Sequence, residues 1–315
     1  MKRIIIDTDP GVDDAMAILL AFNSPELQVE GLTTVFGNTG SAITTANALR
    51  LVELAGHPEV PVARGVDAPM LRPYKGEGWR VHGHNGLGQV DFPPPKGQPD
   101  LRRAAQFIIE MVLANPGEIT LVPLAPLTNI ALAVLLEPRI VALVKEVVLM
   151  GGAADVPGNA SPVSEANINN DPEAASIVFH AGWPLTMVGL DVTMKTVMNR
   201  AYLDRLKATN NPQTDFIYAI TQHYMQLYAS RGVDGMPVHD PSALAYLIDP
   251  TLFTTRHVYV DVEHHSPFYS GNTIPDWREQ RGQAPNVHVC TDVDSPRLLD
   301  LYYERLTRAT QPSSA

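Results

Sequence analysis

Arg3-Ile4-Ile5-Ile6-Asp7-Thr8-Asp9-Pro10-Gly11-Val12-Asp13-Asp14, followed by the apolar run Ala15 to Phe22, decides the reading of this chain. An apolar strand, Arg3 to Ile6, meets a helix, Ala15 to Phe22, across one acidic loop. Asp7, Asp9, Asp13 and Asp14 repel one another at neutral pH, so the loop makes physical sense when a cation or a set of backbone donors gathers them. Asp7 and Asp9 project from the end of the strand, Pro10 and Gly11 turn the chain, and Asp13 and Asp14 fall in the first helical turn, where the helix dipole favours negative charge. Helix capping and solvation account for Asp13 or Asp14 but hardly for Asp7 and Asp9 as well. An EF-hand counted from Asp7 would need Gly and Glu at its sixth and twelfth places, where Val12 and Ile18 stand. The Asp-x-Asp opening of haloacid-dehalogenase-type phosphotransferases leaves Asp13 and Asp14 unexplained.

At 315 residues and 45% hydrophobic content the chain has ample material for a full core. No apolar run reaches the ~20 residues of a membrane span, and the chain enters its first strand directly after Lys2-Arg3 with no signal-peptide pattern. The lone Cys290 excludes an internal disulfide framework and makes a reducing cytoplasm the expected location. A net charge of -11 argues against a nucleic-acid or anionic-membrane surface, and a neutral or cationic small substrate fits better.

Strand-like runs (Arg3 to Ile6, Gln28 to Phe36, Glu118 to Val122, Glu146 to Met150, Leu185 to Leu190) alternate with helix-like ones (Ala15 to Phe22, Ile43 to Ala55, Leu101 to Leu113, Leu127 to Leu136, Pro172 to His180). This alternation predicts an α/β fold: a single open, mostly parallel sheet with helices on both faces, in one domain spanning 1–315. Pro69 to Pro99, rich in Gly, Pro and His, is too long for a plain connection and reads as a functional loop. Helices fill Asn199 to Arg231, strands recur at His257 to Glu263 and Asn286 to Cys290, a helix spans Ser295 to Thr307, and the tail Gln311 to Ala315 is expected to fray.

Ligands of open α/β sheets gather outside the carboxyl ends of the strands. Polar or turn-forming residues stand at those ends here: Asp9, Asn38, Leu124-Ala125-Pro126 and Gly151-Gly152. The stretch Gly158 to Asn167 adds Asn159, Glu165 and Asn167, a set suited to the vicinal hydroxyls of a sugar. Of two Asp-Pro pairs, Asp171-Pro172 reads as a helix cap, while Asp240-Pro241 could cap a helix from Ser242 to Ile248 or serve the site.

Asp7 to Asp14, Thr34-Val35-Phe36-Gly37-Asn38, His82-Gly83 with Gly86-Leu87-Gly88, Val122 to Asn129, Met150-Gly151-Gly152, Asn159 with Glu165 and Asn167, and Val238-His239-Asp240-Pro241 together resemble the inosine-uridine preferring nucleoside hydrolases, in register from Arg3 to about Leu306. The resemblance implies hydrolysis of the N-glycosidic bond of ribonucleosides to ribose and free base. It implies one Ca2+ held by Asp9, Asp14, Asp240 and the backbone carbonyl of Leu124, where family members often carry Thr; a main-chain ligand should survive that exchange. Asn38, Asp13, Asn159, Glu165 and Asn167 then bind ribose beside Met150, and Asp7 positions the loop. By the same resemblance the protein is a homo-oligomer, tetramer or dimer.

Departure of the base builds positive charge on the ribose, which carboxylates stabilise. Asp9 is the expected general base towards water, and His239 the expected acid towards the base. His82, Met150 and Tyr228 complete a base pocket without paired Trp residues, which should accept purines and pyrimidines alike or favour pyrimidines. A phosphotransferase would need Lys or Arg at these strand ends, where none is evident. A non-catalytic Ca2+-dependent nucleoside-binding protein could dispense with Asp9.

Overall fold

Ile4, Ile5 and Ile6 are all buried, so the first strand is covered on both faces. Ile4 and Ile6 join one hydrophobic cluster and Ile5 the other. The same alternation sends Leu121, Val147 and Leu149 to the second cluster and Val122, Val148 and Met150 to the first. Strands that bury both faces form the middle of a parallel sheet sandwiched by helices.

The computed structural model describes residues 1–76 and 78–308. In chain order its elements are β1 (Lys2–Thr8), α1 (Val12–Phe22), β2 (Leu27–Thr34), α2 (Ser41–Leu54), β3 (Val62–Arg64), α3 (Trp79–His82), α4 (Ala104–Ala114), β4 (Ile119–Pro123), α5 (Thr128–Leu136), β5 (Glu146–Met150), α6 (Ala166–Asn170) and α7 (Pro172–Phe179). There follow β6 (Leu185–Val188), α8 (Leu190–Thr193), β7 (Val197–Met198), α9 (Arg200–Lys207), α10 (Pro212–Ser230), β8 (Met236–Pro237), α11 (Asp240–Ile248), β9 (Phe253–Val258), β10 (Val260–Val262), β11 (Thr273–Pro275), β12 (Val287–Val293) and α12 (Ser295–Thr307). The main sheet runs β3-β2-β1-β4-β5-β6-β12-β9, parallel except for the edge strand β9. Helices α1, α2, α10, α11 and α12 pack on one face and α4, α5 and α7 on the other.

The chain leaves β1 towards β2 and β3 on one side, then returns to β4 and continues to β5 and β6 on the other. Loops leaving β1 and β4 therefore diverge at the carboxyl edge and open a crevice between them. The acidic loop follows β1, and Leu124 follows β4.

Four differences from the sequence reading have local causes. Leu101 is exposed and α4 starts at Ala104, because Asp100 takes the Arg102 backbone N–H (2.8 Å) and both sides of its guanidinium (2.8 and 2.6 Å). The expected strand Leu185 to Leu190 stops at Val188, since Leu190 donates instead to Gly152 O (2.9 Å) and opens α8. His257 to Glu263 divides between the end of β9 and β10, which pairs with β11 rather than with the main sheet. The long loop Pro69 to Pro99 holds the short helix α3 and is tied down as a strap. Met70 N–H donates to Asp171 (2.9 Å), Arg72 pairs with Glu173 (2.8 Å) and donates to His264 O (2.6 Å), and Tyr74 donates to Gly37 O (2.9 Å). The tail Gln311 to Ala315 lies outside the described residues.

Asp171 behaves as the cap its sequence predicts and does more. Its carboxylate, fully buried, takes the Ala174 N–H (3.1 Å), the Thr128 hydroxyl (2.6 Å) and the Met70 N–H. Asp171→Ala leaves two buried donors and the half-buried Met70 N–H unpaired, so we expect roughly 3 kcal/mol of destabilisation, at the upper end for single unsatisfied groups. A urea midpoint unchanged from the parent would contradict this anchoring.

Candidate active site

Gly11 caps α1 without a side chain, and Asp14 supplies what it lacks. Asp14 Oδ2 accepts from Gly11 N–H (3.0 Å) and Asn38 Nδ2 (3.0 Å), and Oδ1 from the Thr8 hydroxyl (2.5 Å) and Asp9 N–H (3.2 Å). His82, reaching in from the strap, accepts the Val12 N–H at Nδ1 (3.1 Å), which leaves its ring proton on Nε2. A Cβ at residue 11 would collide with His82 and Asn38, so glycine is what lets three segments converge here. Gly37 plays the same part beside the Asp9 carboxylate.

Carboxylate oxygens of Asp13, Asp14 and Asp240, all buried, lie within 4.8 Å of one another. Asp9 is set apart from this trio because its Oδ2 turns to the Asn38 N–H (2.6 Å); its Oδ1 is buried with no partner. Burial, followed by the neighbouring carboxylates, holds Asp9, Asp14 and Asp240 above the usual carboxylate range, and burial pushes Asp13 up to about 6. Among the described residues the one ion-pair partner of these four is His82, 3.7 Å from Asp13, and burial lowers its ring to about 4, so it brings no charge at neutral pH. No described Lys or Arg thus pairs directly with these carboxylates. An oxygen-only donor set, a buried orphan oxygen and the lack of a cationic ion-pair partner fit a hard cation and not zinc, which prefers N and S ligands. Asp240 caps no helix N–H, so the capping reading fails for it.

A cavity of about 320 Å³ lies over this cluster. Asp13, Asn38, His82, Leu124, Met150, Asn159, Glu165, Asn167, Tyr228, His239 and Asp240 line it, all of them named from sequence; Asp9 and Asp14 sit off its wall. Asn167 Nδ2 donates to Leu124 O (3.0 Å) and Met150 O (3.1 Å), which ties the ends of β4 and β5 together. Glu165 caps α6, accepting from Asn167 N–H (2.8 Å), Ile168 N–H (3.2 Å) and Gly152 N–H (3.0 Å); burial pushes it up to about 7. Asn159 stands exposed at the rim with Oδ1 on the Ala166 N–H (2.9 Å). Asp7 lies behind the loop, its Oδ1 on the Thr33 hydroxyl (2.6 Å) and Asn129 Nδ2 (2.8 Å) while its carbonyl takes the Leu124 N–H (2.7 Å).

Next to Asp240, His239 bonds to Thr193 Oγ1 through Nδ1 (2.8 Å) and to the Tyr228 hydroxyl through Nε2 (3.2 Å). Burial lowers it to about 4, so the ring is neutral near pH 7. Sequence reasoning missed Tyr224, whose ring packs 5.4 Å from His82 and 5.0 Å from Tyr228, and Thr193. The one available signal for Thr193 was its place just past a strand end. Lys75, Arg80 and Arg231 also line the cavity; the strap and the end of α10 carry them there, while the strand ends offer no Lys or Arg to it.

Residues 4–300 match the family model for inosine-uridine preferring nucleoside hydrolase. The inosine-uridine preferring nucleoside hydrolase of Crithidia fasciculata is 43% identical over 99% of both chains. Uridine nucleosidase 1 of Arabidopsis thaliana is 41% identical, covering 91% of this chain and 86% of that one. Among solved structures, a purine-preferring ribonucleoside hydrolase from Gardnerella vaginalis superposes with a TM-score of 0.93 at 35% identity, covering 97% of this chain and 98% of that one.

Proposed function

The chain belongs to the inosine-uridine preferring nucleoside hydrolase family and is an N-glycosyl hydrolase, and from that premise we propose that it is a Ca2+-dependent ribonucleoside hydrolase that accepts both purine and pyrimidine bases. The observation that carries this reading is the buried, oxygen-only carboxylate cluster in a cavity that imidazole and phenol side chains also line. Asp9, Asp14, Asp240 and the Leu124 carbonyl are the residues we assign to the ion. When bound, Ca2+ supplies a flexible oxygen-coordinating centre that gathers sugar hydroxyls and water and makes water more acidic.

Asp9 then takes a proton from the attacking water at Oδ1, the oxygen with no protein partner. Asp13, Asn38, Asn159, Glu165 and Asn167 hold the ribose, and the carboxylates among them stabilise the positive charge that builds on the sugar as the base departs. His82, Tyr228 and His239 face the base. Broad base acceptance is supported by a pocket with small imidazole and phenol walls, and by the kinship of this chain to relatives named for uridine and for purines. A homo-oligomer, dimer or tetramer, goes with the same reading; Leu71, Leu101 and Phe268 are exposed and available to an interface. No described helix is long and apolar enough to cross a membrane. A phosphotransferase is set aside by family membership, and the retained Asp9 speaks against a binding protein without turnover.

Purified protein is expected to release free base from inosine and from uridine, and to do so far more slowly from deoxyuridine. Loss of the 2′-hydroxyl leaves buried polar groups of the sugar site unpaired, which is worth at least ~10²-fold. Chromatography of the released bases measures all three rates. Equal rates on uridine and deoxyuridine would refute the sugar assignment, and no release from either ribonucleoside would refute the function.

A further inference from the structure

We propose that Thr193 is a positioning residue that fixes the tautomer of His239, so that Nε2 carries the ring proton and donates it to Tyr228. The Tyr228 hydroxyl proton is then directed into the cavity, where the base leaves. The catalytic consequence rests on the nucleoside hydrolase reading; the tautomer assignment does not.

The argument is an accounting of buried protons. Thr193 is fully buried on α8, and a helical Thr commonly donates to the carbonyl four residues earlier. That carbonyl, Gly189 O, already accepts the N–H groups of Val192 and Thr193 (3.1 Å each), so both its lone pairs are used. The hydroxyl bonds instead to His239 Nδ1 at 2.8 Å. If Nδ1 carried the proton, the fully buried Thr193 hydroxyl would have no acceptor for its own proton, a cost of the kind native structures avoid. With Thr193 as donor, Nδ1 is the acceptor and Nε2–H faces the Tyr228 oxygen at 3.2 Å. The Tyr224 ring packs edge-on against Tyr228, with ring centroids 5.0 Å apart. Having accepted from Nε2, the Tyr228 hydroxyl has its own proton to place, and Tyr228 lines the cavity. It acts as a hydrogen-bond donor to the departing base, and His239 acts through it.

Long-range 1H–15N correlation spectra of the 15N-labelled, calcium-loaded protein report the tautomer directly, with His239→Gln used only to assign the ring. Wild type and Thr193→Ser are expected to show an unprotonated Nδ1 and a protonated Nε2, and Thr193→Val a shift of the proton towards Nδ1. In parallel, Thr193→Val should lower kcat for inosine about tenfold, the effect of one lost hydrogen bond, with KM within about twofold. Its rate on p-nitrophenyl riboside, whose leaving group needs no donor, should stay within about twofold, and Thr193→Ser should restore inosine turnover. A protonated Nδ1 in the wild-type protein overturns the proposal even if the valine variant does not fold. So does an equal loss on both substrates. Wild-type protein that cleaves neither substrate strikes the hydrolase reading instead, and the spectrum still decides Thr193.

Discussion

Asp240→Asn is expected to empty the protein of stoichiometric calcium and to cut turnover by roughly 10³-fold, the loss of several kcal/mol of electrostatic assistance from a bound cation. Asp240 is the informative position. Asp14→Ala would also strip acceptors from Thr8, Gly11 and Asn38, mixing loss of the ion with loss of the loop. Asp240, at the first turn of α11, caps nothing, so its replacement changes charge with little collateral damage. A second readout has opposite signs in the two states. With calcium present, the variant should melt below the parent, because an ion that binds only the folded chain stabilises it by mass action. In chelator the order should invert, since removing one of the crowded carboxylates relieves repulsion that Asp13, Asp14 and Asp9 impose on Asp240. Elemental analysis and paired melting curves test both halves. Stoichiometric zinc in the parent, or full calcium occupancy in Asp240→Asn, would remove the ion from this cluster.

The doubly covered sheet was legible because its central strands spell their burial. Ile4-Ile5-Ile6 and Val147-Val148-Leu149 are apolar without alternation, and a run of that kind has no solvated face to offer. Elements set by long-range partners were not legible. The three residues of β3 exist because β2 offers an edge, and the start of α4 depends on Asp100 seizing Arg102. The short helix α3 inside the strap has four residues, too few to show a period.

The site divides along the same line. Residues at strand ends were found because the carboxyl edge of a parallel sheet is where loops converge, so Asn38, Leu124 and Met150 could be placed by counting strands. Asp171 and Asp240 share the same Asp-Pro context, yet one caps its helix through the Ala174 N–H and the other leaves its carboxylate to the acidic cluster. Local sequence does not separate them; what separates them is which carboxylates the topology brings opposite. Thr193 offered little more than its place past a strand end for a similar reason, since its partner His239 lies 46 residues away, just before α11.

Asp9→Asn should lower kcat by ~10²-fold or more while KM stays within an order of magnitude, the pattern of a lost general base. The geometry fixes how the amide must sit. Asp9 Oδ2 accepts the Asn38 N–H at 2.6 Å, so an asparagine at this position keeps its carbonyl oxygen there and turns its NH2 to the place of Oδ1. An acceptor becomes a donor at the Asp9 oxygen that the protein leaves unpartnered, and it has no means of taking a proton from water. Backbone and loop are undisturbed, because the Asn38 contact survives and Gly37 still leaves room for the side chain. The substitution also removes one charge from the ion's surroundings, so calcium content must be measured on the same sample. Retained calcium with slowed turnover identifies Asp9 as the base. Turnover within a few-fold of the parent, with calcium bound, would move the base to another carboxylate, and Asp13, which lines the cavity within reach of Asp14 and Asp240, would be the next to replace.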